Sequence, residues 1–343
     1  MARIVVGMAS PHSPQISTKP AEWYLHRERD IANPDIDYAG LAAAAPAWIE
    51  PELTAERFEE KDRICQHAVA ALAKSLAAAA PDVVIIVGDD QKELFLEDCI
   101  PAIAIFTGTE MIDTAPPPDP DEHPSIAAAR WSRHADQPER YPVDAALATH
   151  LAASLTRDGF DIATMVRQHP GRPLGHAFTF VRRRLMDLGA PPIPIVPILL
   201  NTFYPPNQPG PSRCYELGQA LRRAIASFGP ERRVAIDASG GLSHFIVDED
   251  VDRQVLRGLT EHRPELLTSI PLEKLESGTS EIRNWIVVAG ACADATVEVL
   301  DYVAAYRSPA RTGCGMGFVR WDPVPVNGSA AAAAPAALVP ARA

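Results

Sequence analysis

The chain has 343 residues, 47% of them hydrophobic and 22% charged, enough for one large α/β domain with a substantial core. Its net charge of −12, unbroken by any Lys/Arg cluster, argues against nucleic acid or an anionic membrane as partner. Five scattered cysteines without a CxxC pair argue against a disulfide framework or a zinc–thiolate site and fit a reducing cytoplasm, while the N-terminal MARIVVGMAS is too short an apolar stretch for a signal peptide and nothing approaches a membrane span.

Residues 3–7 read as a first strand, followed at once by the loop Ala9-Ser-Pro-His-Ser-Pro14. Residues 15–53 are irregular, with Trp23, Tyr24, Tyr38 and Trp48 set among charges and prolines, the pattern of a lid or binding loop. A helix capped by Thr54 runs towards Ala80, with Phe58, Cys65, Val69, Leu72 and Leu76 on one face, and Pro81 ends it. The apolar run 83–87 then reads as a strand buried on both faces, and it exits into Gly88, Asp89, Asp90 and Gln91. Residues 114–142 are rich in Pro and Asp and form a surface excursion. Residues 144–157 and 213–228 are helical, 193–200 and 234–238 are strands, and Ser239-Gly-Gly241 turns into Leu242-Ser-His244. Thr279 or Ser280 caps a further helix containing Ile282, Trp285, Ile286 and Val288. Residues 324–343 are low-complexity and expected to be disordered. Strands alternating with helices indicate a doubly covered sheet in a single catalytic domain over residues 1–323.

Neither GxGxxG nor GxxxxGK[ST] is present, which argues against a nucleotide cofactor, and no GxSxG elbow points to an α/β-hydrolase. Polar residues recur instead at strand exits: His12, then Asp89 to Gln91, then His244. Each has an ordinary role open to it. His12 suits a turn between prolines, the acids suit helix caps, and Glu281 suits the first turn of a helix. Together, one His, an acid or amide and one Glu at strand ends suit a non-haem Fe(II) site with open positions, and further histidines could serve as acid and base.

The ordered segments GMASPHSP, VVIIVGDDQKELF, LGHAFTF, NTFYPPNQP, ASGGLSHFIVDE, SGTSEIRNW and YRSPARTGCGMGFV resemble the class III extradiol ring-cleavage dioxygenases, the superfamily of the protocatechuate 4,5-dioxygenase β-subunit. Within it they are most similar to the single-chain 3-O-methylgallate dioxygenase branch. The resemblance implies a three-layer α/β/α fold with a mixed central sheet and Fe(II) in a cleft at strand ends. It places iron ligands at His12 and Glu281, a general base at His244 and a second active-site histidine at His176. At the second iron histidine of the protocatechuate enzymes this chain has Gln91, so Gln91, neighbouring Asp90 or water is left to fill that position.

The implied reaction opens a catechol-type ring (gallate, 3-O-methylgallate or protocatechuate-like) with O2. Tyr306, Ser308, Arg311 and Thr312 are candidates to bind a ring carboxylate, since an arginine can take one in bidentate fashion. The stretch from about residue 15 to 60 would cover the active site, as a separate small subunit does in two-subunit relatives. Homo-oligomerisation stays open. Two rival readings are a metal-dependent hydrolase using His12, Asp90 and Glu281 around zinc, and a non-catalytic binding protein on the same fold.

Overall fold

The computed structural model describes residues 1–115, 117 and 119–323, so the Ala/Pro-rich tail lies outside the described residues. Strand β1 (Arg3–Ser10) enters the core at once. The stretch expected to be irregular holds two helices, α1 (Trp23–Ala32) and α2 (Tyr38–Ala43), set between 3-10 turns. Prolines 20, 34, 46 and 51 cut this stretch too often for a period to show. Helix α3 (Ala55–Ala79) begins where Thr54 Oγ1 accepts the Arg57 N–H, and stops at left-handed Ala80, just before Pro81. Strand β2 (Val83–Gly88) follows, and then β3 (Ile103–Phe106) and β4 (Glu110–Asp113).

The expected surface excursion contains α4 (Pro124–Ala129) and β5 (Glu139–Pro142), with β4 and β5 forming a small antiparallel sheet of their own. Helix α5 (Ala145–Arg157) starts at Asp144, whose carboxylate accepts the Leu147 N–H. Strand β6 (Ala163–Met165), helix α6 (His176–Leu185), strand β7 (Ile195–Leu200), helix α7 (Pro211–Ser227) and strand β8 (Arg233–Ser239) complete the alternating part. Helices α8 (Glu249–Thr260), α9 (Pro264–Thr268) and α10 (Ile282–Ala291) precede a hairpin of β9 (Thr296–Tyr306) and β10 (Gly313–Asp322).

Eight strands form one mixed sheet in the order β6-β3-β7-β2-β8-β1-β10-β9. The middle four, β7, β2, β8 and β1, are parallel, and β3 and β10 run antiparallel on either side of them. Strand β2 shows why both faces are covered. Val83, Ile85 and Val87 join a core with α5, α7 and α10, while Val84 and Ile86 join a second core with α3 and α6. Burying each such side chain is worth about 1.5–3 kcal/mol. The sheet is therefore the middle of three layers, as the alternating elements indicated. Four parallel C-terminal ends open side by side at one edge, where α/β sheets place their sites.

The start of α10 departs from expectation. Neither Thr279 nor Ser280 caps it; a 3-10 turn (Ser277–Glu281) runs straight into the helix. Thr279 Oγ1 instead accepts the His244 N–H at 3.0 Å, and Ser280 Oγ pairs with Thr202 Oγ1 at 3.2 Å. Both hydroxyls hold neighbouring loops, so they are not available to the helix.

Candidate metal centre and active site

The ends of β1, β2 and β8 carry His12, the Asp89–Gln91 run and the Ser239–His244 turn, and Glu281 reaches them from the start of α10. His12, His176, Glu281 and Asp89 are all buried, and His244 is 9% exposed. Five residues expected to act together (His12, Gln91, His176, His244 and Glu281) are thus drawn from five segments of chain into one place.

The tautomer of His12 follows from its neighbours. Ser239 Oγ donates its proton to the Ala177 carbonyl at 2.6 Å, so it can only accept from His12 Nδ1–H, 3.1 Å away. That leaves a lone pair on Nε2, which is buried without a hydrogen-bond partner, 3.3 Å from Glu281 Oε1 and 3.9 Å from Asp89 Oδ1. Asp89 Oδ1 is likewise unpartnered. A buried imidazole lone pair facing two carboxylates is a donor set in want of a cation. Burial and the Glu281 charge push the Asp89 carboxyl up to about 7, a repulsion that a divalent cation between them would relieve. One oxygen or nitrogen each from His12, Asp89 and His176 also lies within 4.8 Å of the others. The residues present fit a divalent metal.

Asp90, weighed above as a ligand, has its two oxygens on the Leu94 and Phe95 N–H groups at 2.8 and 3.0 Å. Asp89 is the carboxylate that points inward. Gln91 lies between the two acids, its amide nitrogen donating to Asp89 Oδ2 at 3.1 Å and Glu281 Oε1 at 3.3 Å. The nitrogen, not the oxygen, is the atom that meets them.

The two remaining histidines are each pinned through Nδ1. His244 Nδ1–H donates to the Leu242 carbonyl at 2.8 Å, leaving Nε2 3.2 Å from Glu281 Oε1. Burial opposes a charge on His244, but Glu281 outweighs it and lifts the imidazole well above its usual value. His176 donates Nδ1–H and its backbone N–H to Glu93 Oε1 at 2.7 and 2.9 Å. Burial disfavours the charged form of His176 and its pKa falls; against burial, the His176 contacts hold Glu93 down to about 2. A neutral imidazole on a carboxylate results, its Nε2 available. The His12 and His176 rings meet edge-on with centroids 4.5 Å apart.

The His244 loop is built to hold that ring. Asp252 accepts the Ser243 N–H and Oγ–H at 2.7 and 2.8 Å and the Tyr302 hydroxyl at 2.7 Å. Gly278 leaves room for the imidazole, since a Cβ there would fall 2.1 Å from His244 Cδ2. Gly240 adopts φ 152°, and a Cβ on it would press on Glu281. Glu281 Oε2 in turn accepts the Gly241 N–H at 2.7 Å, and the Trp285 indole donates to the Gly240 carbonyl.

The turn expected to bind a carboxylate sits behind this loop. Gly313 N–H donates to Phe245 O, and Val247 N–H to Arg311 O. Tyr306 donates its hydroxyl to Glu249 at 2.6 Å, and Ser308 and Thr312 bond one another at 2.7 Å. Arg311 stands at φ 58° without a side-chain partner among the described residues. No hydrogen bond or ion pair among the described residues joins these four to the five above. The buried arginine of this turn is Arg307, which forks onto Asp30 of α1 at 2.7 and 2.8 Å.

Residues 51–317, more than half of the chain, match the family described as the catalytic LigB subunit of aromatic ring-opening dioxygenase. The chain belongs to this family. It is also similar to the gallate dioxygenase of Pseudomonas putida, 33% identical over 181 residues. That match covers 49% of this chain and 51% of the relative, so the chain spans about half the length of the curated protein it resembles. Of the residues that meet here, Asp89 and Glu93 were given no role of their own in the sequence, although both stand in the GDDQKE run at the strand end. Asp252 and Ser239 carried no local signal, because each acts across more than eight residues of intervening chain or across the sheet.

Proposed function

We propose that the protein is a non-haem Fe(II)-dependent extradiol dioxygenase that opens a catechol-type ring of the gallate, 3-O-methylgallate or protocatechuate kind. The observation that carries this reading is the partnerless His12 Nε2 and Asp89 Oδ1 facing Glu281, with two histidines fixed beside them. His12 and Glu281 would hold the metal. Asp89 supplies the third donor, and Gln91 ties the two carboxylates together through its amide. When bound, Fe(II) supplies the redox chemistry that lets O2 react with an adjacent diol.

The chain's own part is proton handling and enclosure. His244 has its Nδ1–H committed to Leu242, and with a cation on Glu281 to offset the charge that holds the ring protonated, Nε2 could take a hydroxyl proton and give it up again. His176, neutral on Glu93, can donate or accept at Nε2 toward a hydroxyl or an oxygen atom of the substrate. Residues 15–60 form the cover, with Asp30 of α1 clasped by Arg307 and the Trp131 indole donating to Ser17 O. The five cysteines are all free, in keeping with a reducing cytoplasm.

The test is O2 uptake on a panel of catechols after anaerobic Fe(II) loading with a reductant. Ring opening is expected with Fe(II) and not with Zn(II). Ester or amide hydrolysis under Zn(II), without O2 uptake, would establish the hydrolase instead.

A further inference from the structure

The turn that leaves β2 is folded around one carboxylate. Asp90 accepts the Leu94 and Phe95 N–H groups, which closes the turn and brings Glu93 round to the start of α6. Arg172, in the loop before α6, donates to Leu94 O at 3.0 Å and to Asp98 at 2.9 Å. Leu94 and Leu174 are buried in one core with Ala177 and Phe178 of α6. The turn and the helix start are thus clasped side by side.

Gly175, the residue before α6, has no side chain with which to cap the helix. Glu93 takes that place from across the chain. Its Oε1 accepts the His176 backbone N–H at 2.9 Å and the ring Nδ1–H at 2.7 Å. Gly175 makes the approach possible, since a Cβ on it would fall 2.8 Å from Glu93 Oε2. The shared oxygen decides where the ring proton sits. An oxygen that already accepts a backbone N–H offers the ring a lone pair, so His176 must supply the proton from Nδ1. A neutral imidazole has a single ring proton, and Nε2 is then an acceptor. His12 and His244 are held in the same tautomer by neutral groups, Ser239 Oγ and the Leu242 carbonyl. Of the three rings, His176 is the one whose Nδ1–H is held by a carboxylate, the stronger kind of hydrogen bond.

We propose that Glu93 is a positioning residue of the reaction: by holding the His176 proton on Nδ1, it makes His176 the hydrogen-bond acceptor for a diol hydroxyl that still bears its proton. This rests on the ring-opening reading and fixes the direction in which that histidine works. Glu93 itself touches neither substrate nor metal. A role confined to capping α6 would cost stability when lost and leave the imidazole indifferent.

The experiment reads the His176 tautomer by 15N NMR of histidine-labelled, metal-free protein, and turnover by O2 uptake on gallate after anaerobic Fe(II) loading. Wild type should show a protonated Nδ1 and a bare Nε2. Glu93→Leu should lose that preference, keep its iron and fall about 10–100-fold in turnover, the scale of a charge-assisted hydrogen bond. Glu93→Gln should keep the tautomer and recover most of the rate, because an amide oxygen still accepts. Gly175→Ala, whose methyl displaces the Glu93 carboxylate, should behave like Glu93→Leu. In a His176→Phe background, Glu93→Leu should lower thermal stability as before and cost no further turnover. A further loss of turnover there would overturn the proposal, as would a protonated Nε2 in the wild type or full turnover in Glu93→Leu. If the wild type shows the expected tautomer and opens no ring, the ring-opening reading falls and the proposal with it. If an active wild type shows the other tautomer, the proposal falls alone.

Discussion

The two halves of the site are built differently. On the β8–α10 side, the Ser239–His244 turn is saturated: Asp252 holds Ser243, Thr279 holds the His244 N–H, Trp285 holds Gly240 and Glu281 holds Gly241. On the side facing β1 and β2, buried polar atoms stand without partners: Ser10 Oγ, His12 Nε2 and Asp89 Oδ1; outside the turn, Asp237 on β8 and Asn284 Oδ1 on α10 are also without partners. Saturated groups position one another, whereas orphaned ones cost free energy until something fills the space between them. The saturated half is thus the frame, and the orphaned half is where a metal belongs.

Glu281 belongs to both halves, so removing it should do most damage. Glu281→Ala is expected to strip iron and bring ring opening to background, as measured by metal content after desalting and by O2 uptake. A variant that keeps one iron per chain would detach the two halves from each other. His244→Phe touches only the frame. It should retain iron and lose about 10²–10⁴-fold in turnover, the scale for a positioned acid/base. Loss of iron there would mean that His244 is itself a ligand.

The orphaned half makes a finer distinction. Asp89→Asn should weaken Fe(II) binding about 10–100-fold, while Gln91→Leu, which removes a hydrogen-bonding group rather than a donor, should weaken it less. The reverse order in an anaerobic Fe(II) titration would return the third position to Gln91.

The smallest effect concerns Asp237, pushed up to about 8 by burial. A carboxyl neutral when folded but ionised when unfolded near pH 4 loses stability for the protein as pH climbs from about 4 towards 8. Asp237→Asn should remove that slope and gain on the order of 5 kcal/mol at pH 8 over its effect at pH 4, read from denaturant midpoints. An unchanged slope would show that Asp237 is not the buried acid it resembles.

Much of this was legible in the chain. The apolar run 83–87 gave a strand covered on both faces because no residue in it tolerates water, and Thr54 and Pro81 marked the ends of α3 through local chemistry. His12 and His244 were readable at strand exits and Glu281 in the first turn of a helix, whereas His176 came only from the resemblance to the ring-cleavage dioxygenases. Asp252 was not readable, since a buried acid takes its meaning from partners brought in by the fold. The α10 cap failed for the same reason: Thr279 and Ser280 look like capping residues locally, and tertiary bonds claim both. In residues 15–53 the prolines hid α1 and α2, and α1 is tied down by distant Arg307 through Asp30.

The most direct test is anomalous scattering at the iron edge from crystals of the anaerobically loaded protein. A single strong peak should lie among His12 Nε2, Asp89 Oδ1 and Glu281 Oε1, with His244 and His176 beyond bonding distance of it. A peak at another cluster, or none at this one in protein that takes up O2, would contradict the account.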